Sequence, residues 1–193
     1  MSRPDASGPA ALACARLSRR GALGVLLGAA PLSALPRRVA LAQGSAPAAL
    51  GMPSQSPILT VSGKITITNQ GDTAVFDRAM LEQLGMTTIN TATPWYDGPM
   101  RFEGPLLSRL MQAVGATGDT ATAIALNDYS IDIPVADFAR FGPILAMRRN
   151  GQPMRVADKG PLFVIYPYDS NPELKNRQYY SRSVWSLAQF VIR

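Results

Sequence analysis

The chain contains no histidine, and its one cysteine is Cys14. Without histidine there is no imidazole to act as general base or to ligate a metal. Without a thiol beyond residue 14 there is neither a cysteine nucleophile nor a disulfide in the body of the chain. A Ser-His-Asp hydrolase, a histidine-ligated zinc site and a cysteine protease are therefore all excluded. Long apolar runs are also missing. The longest tract, Gly21 to Leu35, is broken by Pro31 and falls short of the roughly 20 residues that a helical span needs. Aromatics are sparse at 7%.

Surplus charge is missing too, once the N-terminus is set aside. The whole chain is +6. Residues 1–42 carry Arg3, Arg16, Arg19, Arg20, Arg37 and Arg38 against Asp5, a net +5, which leaves +1 for the other 151 residues. No basic surface is left to argue for nucleic acid or for an anionic membrane.

What is present at the N-terminus has an address. A polar, arginine-bearing start, the apolar tract 21–35 and Ala40-Leu41-Ala42 form the tripartite pattern of an export signal ending at residue 42. Ser18-Arg19-Arg20-Gly21-Ala22-Leu23 has the adjacent arginines of a twin-arginine signal, and an ordinary secretory signal is the alternative. Both imply a periplasmic or otherwise exported chain with no membrane span after cleavage. Residues 43–57, rich in Ala, Pro, Ser and Gly, read as a flexible lead-in. Residues 58–193 read as one domain.

Within that domain the periodicities alternate between strand and helix. Ile58 to Thr68 predicts two strands turning at Ser62-Gly63. Asp77 is the expected N-cap of a helix running to Leu84 and stopped by Gly85. Met86–Thr91 predicts a strand that feeds a Pro/Gly-rich loop holding Pro94, Trp95, Tyr96, Gly98 and Pro99. Gly104 then opens a helix over Pro105–Val114 with Leu106, Leu107, Leu110 and Met111 on one face. Strands are expected at 121–126, 131–134 and 144–149, with a short helix at 135–141. Asn150-Gly151 marks a hairpin turn. The apolar run within Lys159–Tyr168 predicts a strand buried on both faces. A polar loop follows at 169–177, and Tyr180–Ile192 closes the chain as a strand, with Trp185 in the core.

The order of these segments resembles the oxidoreductase molybdopterin-binding domain family, whose fold is that of sulfite oxidase. The residues that carry the resemblance are Phe102-Glu103-Gly104-Pro105-Leu106-Leu107, Asn127-Asp128-Tyr129, Asn150-Gly151-Gln152-Pro153-Met154, Gly160-Pro161-Leu162-Phe163 and the closing Tyr180–Ile192 segment. The resemblance implies an α+β fold: mixed β-sheets with short helices, in a sulfite oxidase-like molybdopterin-binding arrangement. It also implies that a molybdopterin cofactor would sit where three polar loops meet: 93–103, 127–129 and 168–182. Arg182 matches the family's phosphate-side cation. Lys175 and Arg101 are further cations in those loops, and Trp95, Tyr96, Asp128 and Tyr168 are candidate contacts to the ligand. Plainer roles stand beside these. Arg182 pairs with Asp169 or Asp128, Trp95 packs beneath its loop, and Lys175 is a solvated charge.

One departure governs the functional reading. The family's cysteine thiolate, which binds molybdenum, has no counterpart: Asn90, Thr91, Ala92 and Thr93 occupy that neighbourhood. Molybdenum favours a soft sulfur ligand, which these residues cannot supply. The residues themselves require no cofactor. The preferred reading is a non-catalytic relative binding a small anionic or pterin-like ligand, or a partner protein, in the cofactor cleft. The alternatives are an oxidoreductase that keeps molybdopterin without the cysteine, and a purely structural exported domain.

Overall fold

A computed structural model describes residues 49–193; the segment expected to be an export signal lies outside the described residues. Two sheets and a paired ribbon enclose the core. Strands β1 (Leu59–Gly63), β2 (Ala74–Phe76), β5 (Thr120–Ala125), β6 (Ser130–Pro134) and β11 (Leu187–Ile192) form a sheet in the order β2-β1-β11-β5-β6. Only the β1–β11 pairing is parallel. A second sheet has the order β3-β4-β8-β9, with β3 at Met86–Ala92, β4 at Pro99–Pro105, β8 at Arg148–Arg149 and β9 at Gln152–Pro153. Strands β7 (Ile144–Ala146) and β10 (Phe163–Ile165) pair separately. The helices are α1 (Arg78–Gln83), α2 (Leu107–Ala113), α3 (Ala136–Phe141) and α4 (Arg177–Arg182). None is long and apolar enough to cross a membrane.

Burial follows the side-chain periods. Leu59 and Val61 alternate inward on β1 and meet Phe190, Leu107, Leu110 and Phe138 in the main core. Removing each such side chain from water contributes about 1.5–3 kcal/mol. A second cluster gathers Ile89, Phe102, Ile144 and Phe163 beside the smaller sheet. On β11 the inward residues Leu187 and Phe190 are three apart, because a bulge between Leu187 and Gln189 resets the alternation.

Several local expectations hold. Asp77 caps α1, its Oδ1 accepting from Met80 N–H at 2.9 Å. Its Oδ2 accepts from the N–H groups of Ser54 and Gln55, so the lead-in is anchored at that point. Asn150 (φ 50°) and Gly151 (φ 78°) make the two-residue turn between β8 and β9.

Others are corrected. Ile58–Thr68 gives one strand, not two. Gly63 (φ 89°) ends β1, and the next residues turn away so that Thr66 and Ile67 N–H groups bond Val114 O behind α2. The expected loop before α2 is mostly strand. β3 and β4 pair residue for residue from Met86↔Pro105 to Ala92↔Pro99, leaving only residues 93–98 as a loop. Pro99 and Pro105 sit at the ends of β4, where a missing N–H costs the ladder least. Gly104 therefore opens no helix; it lies buried in β4 against the backbone of Leu145 and Ala146. The 144–149 strand divides at the buried Met147 into β7 and β8, which join different partners. Tyr180–Arg182 are helical, because Asn176 caps α4 by accepting from Gln178 and Tyr179 N–H. The closing strand begins only at Leu187. Trp185, expected in the core, is 43% exposed.

Candidate functional site

The loops read as neighbours do meet. Asp169 Oδ2 accepts from Ala92 N–H at 2.7 Å, and Asp169 N–H donates to Thr91 Oγ1 at 3.2 Å. The Trp95 ring lies 6.1 Å from that of Tyr180. Asp169 is held below the usual carboxylate range, first by its bond to Lys175 and then by the Ala92 N–H.

Most of the expected ligand contacts are engaged in the fold itself. Arg182 pairs with neither Asp169 nor Asp128. Its Nη1 donates to Asp137 Oδ2 at 2.7 Å, with both side chains largely buried. The Tyr166 hydroxyl donates to the same oxygen at 3.2 Å. Tyr168 is fully buried, and its hydroxyl is hydrogen-bonded to Ser183 Oγ, so it faces no cleft. Burial raises the ionisation of both phenols well above the ordinary tyrosine value. Lys175 pairs with Asp169 at 2.7 Å, and Arg101 pairs with Glu103 across two positions of β4. Asp128 sits exposed at φ 62° in the turn after β5 and makes no side-chain hydrogen bond or ion pair among the described residues. The neighbouring Tyr129 hydroxyl ties that turn to Ser181 O.

Trp95 and Tyr96 remain at a cleft. Trp95 is half-buried, packing edge-on to Phe163 at 5.2 Å, so it serves as both packing and wall. Tyr96 anchors its loop by donating to Asp158 O at 3.1 Å. Burial raises the Tyr96 phenol, and the Arg149 charge works against that rise. Together with Pro94, Met100, Arg149 and Asn150 these residues line a cleft of about 450 Å³. Arg149 is also a wall of a second concavity of about 480 Å³, beside Gln152, Met154 and Arg155.

Two cations at this place were not recognisable in the sequence. The Arg149 guanidinium carbon lies 4.2 Å from the Tyr96 ring centre, and Lys159 Nζ lies 5.4 Å from it. Among the described residues neither has a carboxylate within 4.0 Å. Stacking occupies a face of a guanidinium and leaves the N–H donors in its plane, of which the Tyr96 hydroxyl engages part on Arg149. Asp97 is the cleft's one carboxylate among the described residues, and it is exposed.

The residues near the missing thiol do not fit a molybdenum centre. Thr91 is buried with its hydroxyl already bonded. The Thr93 hydroxyl is sealed from solvent and has no partner. Both offer only hard oxygen, where the metal favours sulfur. The three cations expected to hold the cofactor's anionic arm are each neutralised by a carboxylate. Among the described residues no three His, Cys, Asp or Glu side chains converge on a point.

Comparison with known proteins found no matching family model and no matching curated protein. Among solved structures, the chain is similar to the sulfane dehydrogenase SoxCD from Paracoccus pantotrophus, with 17% identity and a TM-score of 0.52. The match covers 69% of this chain and 37% of that one, so it spans little more than a third of the matched chain's length. This likeness concerns fold: the α+β, mixed-sheet, sulfite oxidase-like architecture implied by the motifs is the one the chain adopts.

Proposed function

We propose that this chain is an exported, non-catalytic relative of molybdopterin-binding proteins that binds a small anionic ligand between the 93–98 loop and the β8–β9 hairpin. The observation that carries this is Arg149, 4.2 Å from the Tyr96 ring centre in a cleft and with no carboxylate within 4.0 Å among the described residues. A cation left unpaired beside a cavity of ligand size offers charge-assisted hydrogen bonds at no cost in broken ion pairs. The absent sulfur and the neutralised Arg182 argue against a metal-dependent oxidoreductase. The arginine-bearing, apolar 1–42 segment supports export to the periplasm.

The test is calorimetric titration of the purified chain with inorganic phosphate and pyrophosphate, alongside metal analysis of the same sample. Phosphate or pyrophosphate should bind, and Arg149→Ala should weaken it at least tenfold while the melting temperature holds. Stoichiometric molybdenum, or affinity indifferent to Arg149→Ala, would overturn the reading.

A further inference from the structure

The cations beside Tyr96 belong to a longer row. Lys159 Nζ lies 5.4 Å from the Tyr96 ring and 5.3 Å from the ring of Trp185. Aromatic and cationic groups thus alternate along the surface as Trp185, Lys159, Tyr96 and Arg149. Trp185 is 43% exposed, and Val156 in the same segment as Lys159 is 59% exposed. Exposing an indole to water forgoes one of the largest apolar burials open to the chain.

The backbone beneath this row is held in an unusual way. Lys159 (φ 68°) and Ser186 (φ 50°) are both left-handed, and Ser186 N–H donates to Lys159 O at 3.0 Å. The other non-glycine residues with positive φ are Asp128 and Asn150, whose types tolerate that region. Lysine and serine do not, and such a conformation costs of the order of 1 kcal/mol each. Two strained residues bonded to each other set Lys159 beside Trp185.

We infer that the row Trp185–Lys159–Tyr96–Arg149 docks an extended acidic segment of a partner protein. The inference shares Tyr96 and Arg149 with the cleft reading above and rests on it for those two residues. Charge complementarity names the partner's chemistry. Lys159 and Arg149 lack carboxylates within 4.0 Å among the described residues, whereas the nearby Arg155 already pairs with Asp158 at 3.0 Å. The shape of the row argues for a peptide over a compact ligand. It lies open, drawn from four separate segments, and ends on an indole outside both concavities. An extended peptide advances about 3.3 Å per residue and turns successive side chains to opposite faces, so a short stretch can reach both cations. Tryptophan and arginine are also the residue types that most often dominate protein–protein binding energy.

The test uses the full chain and a fluorescein-labelled peptide alternating glutamate with leucine, followed by fluorescence polarisation. Binding should weaken as salt rises. Trp185→Ala and Lys159→Glu should each reduce it at least tenfold at unchanged melting temperature, and Trp185→Ala should leave phosphate binding within twofold. Three results would each overturn the inference: no binding of the peptide, peptide affinity unchanged in Trp185→Ala, or equal binding of a lysine–leucine control. Binding to phosphatidylglycerol vesicles without binding to the peptide would overturn it in favour of a lipid surface. Failure of the cleft reading shows differently, as phosphate affinity indifferent to Arg149→Ala.

Discussion

Arg182 Nη1 stands 2.7 Å from Asp137 Oδ2, joining the end of α4 to α3 through a largely buried ion pair that also accepts the Tyr166 hydroxyl. A cation placed for an external phosphate would not be sealed in this way. Arg182→Ala should leave a buried carboxylate unpaired and cost about 3–5 kcal/mol. That lowers the melting temperature by roughly 10 °C. Replacing both partners together, as Arg182→Met with Asp137→Leu, should cost less than either single change. Thermal and urea unfolding of the three variants checks this. A harmless Arg182→Ala would return the residue to the ligand.

Tyr166 and Tyr168 define the alkaline limit of stability. Burial is the main cause of both raised ionisations; the Asp137 carboxylate adds to it for Tyr166, and the Ser183 bond opposes it for Tyr168. In the unfolded chain a tyrosine ionises near its ordinary value of about 10. Above that pH the unfolded state has released protons that the folded state keeps, so stability falls as pH rises. Ultraviolet titration should show these two phenols failing to ionise until the protein unfolds. Tyr168→Phe should cost about 1 kcal/mol, from the lost bond to Ser183.

Gly104 packs directly on the backbone of Leu145 and Ala146. A Cβ there would be driven into the carbonyl oxygen of Leu145. Gly104→Ala should destabilise by about 1–3 kcal/mol at least, because the obstacle is backbone and cannot rotate aside. Circular dichroism melting is the check. Gly151→Ala makes a useful contrast: it meets no neighbour and carries only the strain of φ 78°.

Asp77 joins the lead-in to the domain. Its carboxyl is held below its ordinary value, chiefly by the Met80 N–H and further by the Gln55 and Ser54 N–H groups, against the effect of burial. Its contribution is therefore present above the unfolded carboxylate range near pH 4 and lost as pH falls through the folded value. Asp77→Ala should expose residues 49–57 to limited proteolysis at neutral pH, where the parent chain resists. Equal cleavage of both would show that the anchor is not at Asp77.

The two tryptophans should separate in solution. Trp185 is exposed and Trp95 half-buried. Iodide should quench mainly Trp185, and Trp185→Phe should remove most of the quenchable emission.

What could be read from the sequence was what short range decides. The Asp77 cap, the Asn150-Gly151 turn and the apolar face of α2 each depend on residues a few positions apart. The β3–β4 hairpin was hidden because its prolines and glycines read as punctuation, although Pro99 and Pro105 fall at strand ends. The Tyr96 site was hidden for a different reason. Arg149 and Lys159 come from segments more than fifty residues downstream, and a stacked cation has no local signature. The partner of Arg182 was missed likewise: Asp137 lies on a helix that no spacing rule links to α4.

β11, the last strand among the described residues, is the middle rail of its sheet, parallel to β1 on one side and antiparallel to β5 on the other. Until residues 187–192 have left the ribosome, the β2–β1 pair and the β5–β6 pair have nothing to bridge them. This sheet therefore closes only once β11 is there to join its two halves. Trimming six residues from this strand would take out the keystone and not a fringe.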